Sequence, residues 1–189
     1  MKKTSISICF AILIGISNFV YSQEAQDIQL PTNKETNLIE FTELVTVDSS
    51  LTQNDLYTRA REWFALNFKS ANNVIQMDDK NAGIIIGKGN MSVTGGKYLA
   101  DGKIDFTLKI QVKDGRFKYW FTDFVHSSYK AGYSGGHLEN EKPICGNLFM
   151  LKKGWIQVKE IADTEVKSMT ASIKAALGKK LSANDKTDW

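Results

Sequence analysis

From Ile104 to Val125 the chain spells out a hairpin, and this stretch constrains the fold more than any other. Ile104, Phe106, Leu108, Ile110 and Val112 alternate with Asp105, Thr107, Lys109 and Gln111. A period of two places the apolar set on one face of a strand. Asp114-Gly115 then supplies a two-residue turn of the primed type. Phe117 to Val125 runs back. Pairing Lys113 with Arg116 sets the register. Val112 then faces Phe117, Ile110 faces Tyr119, Leu108 faces Phe121 and Ile104 faces Val125. Cross-strand partners share a face, so these pairs form one apolar layer. The opposite face holds Gln111/Lys118, Lys109/Trp120, Thr107/Thr122 and Asp105/Phe124. It is polar but carries two large aromatics.

A layer of this kind needs a cover, and the flanking segments provide it. Ile39, Phe41, Val45 and Val47 share one parity, broken by Glu43, which reads as a strand. Thr52 stands three residues before Asp55, a helix N-cap signature. Leu56, Ala60, Trp63, Phe64 and Phe68 follow on one face of a helix over Gln53–Phe68. Core packing explains this aromatic stripe. Val74–Met77 is a short strand, Asp78 to Asn81 a turn, and Ala82–Val93 a further strand with Gly83, Gly87 and Gly89 marking twist or a bulge. Thr94 to Gly102 is a loop. His126–Gly154 lacks clear periodicity, with Asn147–Leu151 a candidate short strand. Val158, Ala162, Val166, Met169, Ile173 and Leu177 outline a last helix, closed by Gly178 as C-cap. The order β-α-β-β-β-β-loop-α predicts an α+β domain, an antiparallel sheet with two helices packed on one face. The other face stays open to water or a partner.

The stretch Asp55–Gly89 resembles an exported bacterial family known as domain of unknown function 4468. Leu56-Tyr57, Ala60, Trp63-Phe64, Phe68 and the strand Gly83-Ile84-Ile85-Ile86-Gly87-Lys88-Gly89 carry the likeness, which spans about Ile39 to Val125. It implies a TATA-binding-protein-like (TBP-like) β-α-β4-α fold. It implies no activity, and likeness to a DNA-binding fold does not confer DNA binding.

The N terminus reads as an address. Lys2 and Lys3 precede an apolar run, Ile6–Ile16, and a more polar stretch to Ser22. Val20 and Ser22 suit a signal-peptidase cut between Ser22 and Gln23. The apolar run is shorter than the roughly 20 residues needed to span a bilayer. Removing residues 1–22 leaves 167 of the 189 residues and lowers the net charge from +3 to +1. The hint of an anionic partner in the whole-chain charge therefore comes mostly from the signal. Cys9 leaves with it, and the remaining Cys145 cannot form an intramolecular disulfide. No later segment is apolar enough to cross a membrane. Residues 23–37 read as a polar linker, 38–181 as one domain with a long irregular loop at 126–154, and 182–189 as a disordered tail. The expected localisation is periplasmic or secreted.

No motif for chemistry stands out. Gly83–Gly89 fails the P-loop template twice, at Ala82 and at Gly89. Asp78 and Asp79 read as a solvated turn and not as an acid–base pair. His126, His137 and Cys145 share the irregular loop, and a thiol with an imidazole suits a nucleophile and base or a metal site. Their spacing matches no metal template. A hydrolase-like or metal-binding enzyme built on this loop is the alternative reading. The leading one is a non-catalytic exported binding module. It uses Lys109, Lys118, Trp120 and Phe124 on the open face, where Lys109 and Trp120 suit a cation–π pair. Its partner is a small ligand or an envelope protein. No metal, cofactor or nucleic-acid partner is implied. A competing expectation is that the loop 126–154 folds over this face and covers both rings.

Overall fold

Thr52 caps the first helix through a reciprocal pair. Its hydroxyl accepts from the Asp55 amide, and the Asp55 carboxylate accepts from the Thr52 amide at 3.0 Å. This satisfies orphan amide donors at the helix start. The computed structural model describes residues 28–68, 74–95 and 99–179. The signal segment 1–22 and the tail 182–189 lie outside the described residues.

The elements are β1 (Phe41–Thr46), α1 (Gln53–Asn67), β2 (Ile75–Asp79), β3 (Ile84–Val93), β4 (Gly102–Lys113), β5 (Arg116–Ser128), β6 (Gly136–His137) and α2 (Lys152–Gly178). They form an antiparallel sheet of six strands in the order β1-β5-β4-β3-β2, with β6 also pairing to β5. β1 flanks β5 from Phe121 to Arg116, and β6 flanks the same strand at Val125 and His126. Both helices join the core on one face of the sheet. This is the expected α+β architecture.

The β4–β5 hairpin follows the expected register from Lys113↔Arg116 to Thr107↔Thr122. Beyond that point it departs. A bulge places Asp123 and Phe124 opposite Phe106, so Ile104 faces His126 and Asp105 faces Val125. Phe124 moves to the covered face and is fully buried. Asp123 takes the left-handed conformation, φ 57°. That conformation costs roughly 1–2 kcal/mol for a non-glycine residue, less for aspartate. Burying a phenylalanine returns about 1.5–3 kcal/mol. The bulge therefore wins, and Phe124 packs edge-on to Phe41 and stacks on Phe106.

The other differences are local. Residues 28–37, the described part of the polar linker, are tied down by hydrogen bonds. Pro31 O accepts from Glu40 N at 3.0 Å, and the Asn33 side chain accepts from the Glu35 and Thr36 amides. Asp78 and Asp79 end β2 and do not form the turn. Asp78 accepts from Tyr57 Oη and from Arg61 Nε at 2.6 Å, tying β2 to α1. With burial and this carboxylate against it, the Tyr57 phenol is pushed up to about 12. Asn147 to Leu151 forms turns and no strand. α2 begins six residues before Val158, because Trp155 and Ile156 bury their side chains in its first turns. Gly178 is the last helical residue and Lys179 the C-cap. Glu43, the misfit in β1, lies on the helix side at the sheet edge, where Tyr119 Oη and Lys174 Nζ each donate to it at 2.8 Å. The Lys174 bond, seconded by Tyr119, holds its carboxyl below the usual range.

Candidate functional site on the open sheet face

The face away from the helices is built in cross-strand rows. One row runs Leu44, Lys118, Gln111, Ile84 and Asp79. The next runs Thr42, Trp120, Lys109, Ile86 and Met77. Thr122, Thr107 and Lys88 make a third. Beside the hairpin turn stand Lys113 and Arg116. The partly exposed Trp120 ring sits among these cations. Lys109 Nζ lies 4.8 Å and Lys118 Nζ 4.7 Å from its centroid. Two ammonium groups thus rest against one indole, each contact contributing about 0.5–1 kcal/mol at an exposed site.

The charge on this end of the face is one-sided. Among the described residues, none of Lys88, Lys109, Lys113, Arg116 and Lys118 forms an ion pair. Asp79, at the far end of its row, accepts from the Ala82 amide at 2.9 Å and so serves its own turn. A shallow cavity of about 280 Å³ opens here, lined by Leu44, Gln111, Lys113, Arg116, Lys118 and Trp120. That volume is at the low end for small-molecule sites. Unpaired cations around an apolar ring can hold an anionic group and a planar or apolar body together.

Of the residues singled out in the sequence, Lys109, Lys118 and Trp120 meet on this face. Phe124 does not, because the bulge turns it into the core. Gln111 stands on this face as expected but outside the expected site residues, and Leu44, Lys113 and Arg116 join the site only in the structure. Leu44 left a legible signal, since it is a large apolar residue at a solvent-parity position of an edge strand, 58% exposed. The irregular loop does not line the cavity. Its buried apolar residues pack on the helix side. Leu138 and Met150 enter the core, and Trp155 Nε1 donates to Asn140 O at 3.0 Å.

His126, His137 and Cys145 are not assembled into a reacting group. His137 pairs with Val125 on the open-face side, whereas His126 occupies the covered face. The two imidazoles therefore project to opposite sides of the sheet. Cys145 is half-buried, and burial pushes its thiol up, away from the thiolate that nucleophilic attack requires. Among the described residues no hydrogen bond joins Cys145 to either imidazole, and no three His, Cys, Asp or Glu side chains cluster as metal ligands.

His126 is a structural group. Its Nδ1 accepts from the Gly135 amide at 2.9 Å, so the neutral ring carries its proton on Nε2. Nε2 is buried beside the Trp155 ring and has no hydrogen-bond partner among the described residues. Burial lowers the pKa of this imidazole below 6.5. Below that pH the unfolded chain binds a proton that the folded protein refuses, so stability falls as pH falls. One such group contributes a slope of at most about 1.4 kcal/mol per pH unit. Urea midpoints compared near pH 7 and near pH 5 should fall less in His126→Gln, whose amide oxygen can still accept from Gly135. An unchanged pH dependence in that variant would assign the acid sensitivity to other groups.

The strand order, the paired helices on one face and the free second face define a TBP-like α+β domain. Residues 41–127 match the family model described as a domain of unknown function (DUF4468) with TBP-like fold. Two solved structures share the fold. One is a TBP-like protein from Parabacteroides distasonis ATCC 8503, with TM-score 0.62 and 12% identity, covering 78% of this chain and 96% of that one. The other is a DUF4468 family protein from Bacteroides ovatus ATCC 8483, with TM-score 0.56 and 14% identity, covering 80% and 91%. At such identities the likeness shows the fold alone. No curated protein matches the chain.

Proposed function

We propose that this protein is a non-catalytic, exported binding module of the bacterial envelope whose recognition surface is the open sheet face. Its partner is a small ligand or an envelope protein that presents negative charge. The observation that carries this reading is Trp120, half-exposed and flanked by Lys109 and Lys118 on a face whose nearby cations form no ion pair among the described residues. Such a surface is costly to leave idle, because an exposed aromatic gains more when it is covered. Export is supported by the basic head, apolar run and small residues at the cut site in residues 1–22. No helix among the described residues is long and apolar enough to cross a membrane.

Mass spectrometry of what co-purifies with the protein from native envelope tests the reading. Trp120→Ala should weaken capture of the specific partner by about tenfold or more, the range of an aromatic hot spot. Lys109→Glu should weaken it as well, and more so at low salt. If both variants fold and keep every wild-type partner, the recognition surface lies elsewhere.

A further inference from the structure

On the loop between β6 and α2, four large apolar side chains remain outside although the core lies close by. Ile144 is 71%, Leu148 89%, Phe149 45% and Leu151 53% exposed. They fall within eight residues, 144–151. Two neighbours, Pro143 and Met150, are buried and act as the foot of the loop. Backbone hydrogen bonds hold its shape. Ile144 N donates to Gly135 O at 3.0 Å, Gly146 N to Pro143 O at 3.0 Å and Met150 N to Gly146 O at 3.1 Å. Gly146 permits the turn through a positive φ of 74°. The apolar tip is thus presented on a fixed support and is not a collapsed tail.

The charge next to this tip in the sequence is mostly positive, with the exposed Glu141 beside Lys142 as the exception. Lys142, Lys152 and Lys153 flank it in sequence. Lys130 rests over the Tyr133 ring at 4.2 Å, and Tyr133 packs edge-on to Phe149. Between residues 129 and 153 the acids are Glu139 and Glu141. Glu139 is engaged, accepting from the Ile39 amide at 2.9 Å. The first turn of α2 contains no acid, and its N-cap, Leu151, offers no side-chain bond. Two lysines at the positive end of a 27-residue helix are unfavourable for the helix alone. An anionic surface would relieve that conflict.

We propose that the loop 144–151 docks the protein peripherally on an anionic phospholipid bilayer, with Leu148, Phe149, Ile144 and Leu151 entering the interfacial layer and the flanking lysines meeting lipid phosphates. Apolar side chains at a tip ringed by basic residues combine the two terms that hold a protein on such a surface, buried apolar area and attraction to anionic headgroups. A second copy of the chain is the less suitable occupant. Four side chains fall short of the ~800 Å² per partner that a stable dimer buries, and two such lysine-ringed tips would repel. The docking loop lies apart from the Trp120 face, so each site can fail independently of the other.

The test is co-sedimentation of the natively processed protein with vesicles of phosphatidylcholine alone or mixed with phosphatidylglycerol. Wild type should bind the mixed vesicles and bind phosphatidylcholine far less. Leu148→Asp should lower binding to mixed vesicles by about tenfold or more. Lys152→Glu with Lys153→Glu should abolish the preference for anionic lipid. Leu148 touches little of the fold, so its variant stays folded, which circular dichroism checks. Equal sedimentation of wild type and Leu148→Asp would overturn the proposal, as would absence of wild-type binding. A dimer in solution that Leu148→Asp converts to monomer would overturn it too, by giving the loop to a second copy.

Discussion

Replacing Phe64 with alanine is expected to lower the stability of this protein by about 3–5 kcal/mol, the range for truncating a fully buried phenylalanine. Phe64 is completely inaccessible and sits where α1 meets the sheet. Its ring is edge-on to Trp63 at 5.5 Å and stacked on Phe68 at 5.6 Å between centroids. Removing it takes away apolar burial and leaves a cavity that these neighbours cannot close without losing their own contacts. Domains of this size have about 5–15 kcal/mol in total, so the variant should lose a large part of its stability. Urea unfolding followed by fluorescence measures this as a drop in midpoint at constant slope. A loss below about 1 kcal/mol would mean that the site repacks and that Phe64 is not a keystone of the core.

The second large effect concerns Gly87, and strand propensity gives it the wrong sign. Valine suits a strand better than glycine, so propensity alone expects Gly87→Val to stabilise β3. The structure expects the reverse. A β-carbon at Gly87 would stand 2.6 Å from Phe64 Cε1 and 3.2 Å from Val74 Cγ1. Glycine lets the Phe64 ring lie directly on the strand backbone, and Gly89 does the same for Phe68 and Phe106. Gly87→Val should therefore cost about 1–3 kcal/mol through overpacking. A double-mutant cycle decides the cause. In the Phe64→Ala background the valine should be tolerated or even favourable, giving a coupling of about 0.5–3 kcal/mol. Additive costs would show that Gly87 is needed for backbone reasons and not for the ring.

These residues show where sequence reasoning reached and where it stopped. The stripe Leu56, Ala60, Trp63, Phe64 and Phe68 was legible because helical period and apolar identity agree. Gly83, Gly87 and Gly89 were legible only as irregularity, since a missing side chain does not say what fills its place. The candidate site divides in the same way. Lys109, Lys118 and Trp120 could be placed together from alternation and the Asp114-Gly115 turn alone. Phe124 could not be placed, because a single extra residue at Asp123 inverts the parity of everything after it. Leu44 joins the cavity through pairing with Lys118, a contact across about seventy residues that no local pattern encodes. The long loop was opaque because β6 has two residues, too few to show a period, and because its apolar groups sort between foot and tip only against a finished core.

By itself the sequence determined the types of the long elements, the hairpin register up to Thr122, the capped first helix and one covered face with one open face. These follow from period, turn chemistry and capping, which act within a few residues. The tertiary structure decided which aromatic belongs to the core, which glycines receive a ring, that His126 and His137 lie on opposite sides of the sheet, and that the loop leaves Trp120 open. Those outcomes depend on competition for buried volume among segments distant in the chain. There the free energy of filling space outweighs local preference, as it does at Asp123.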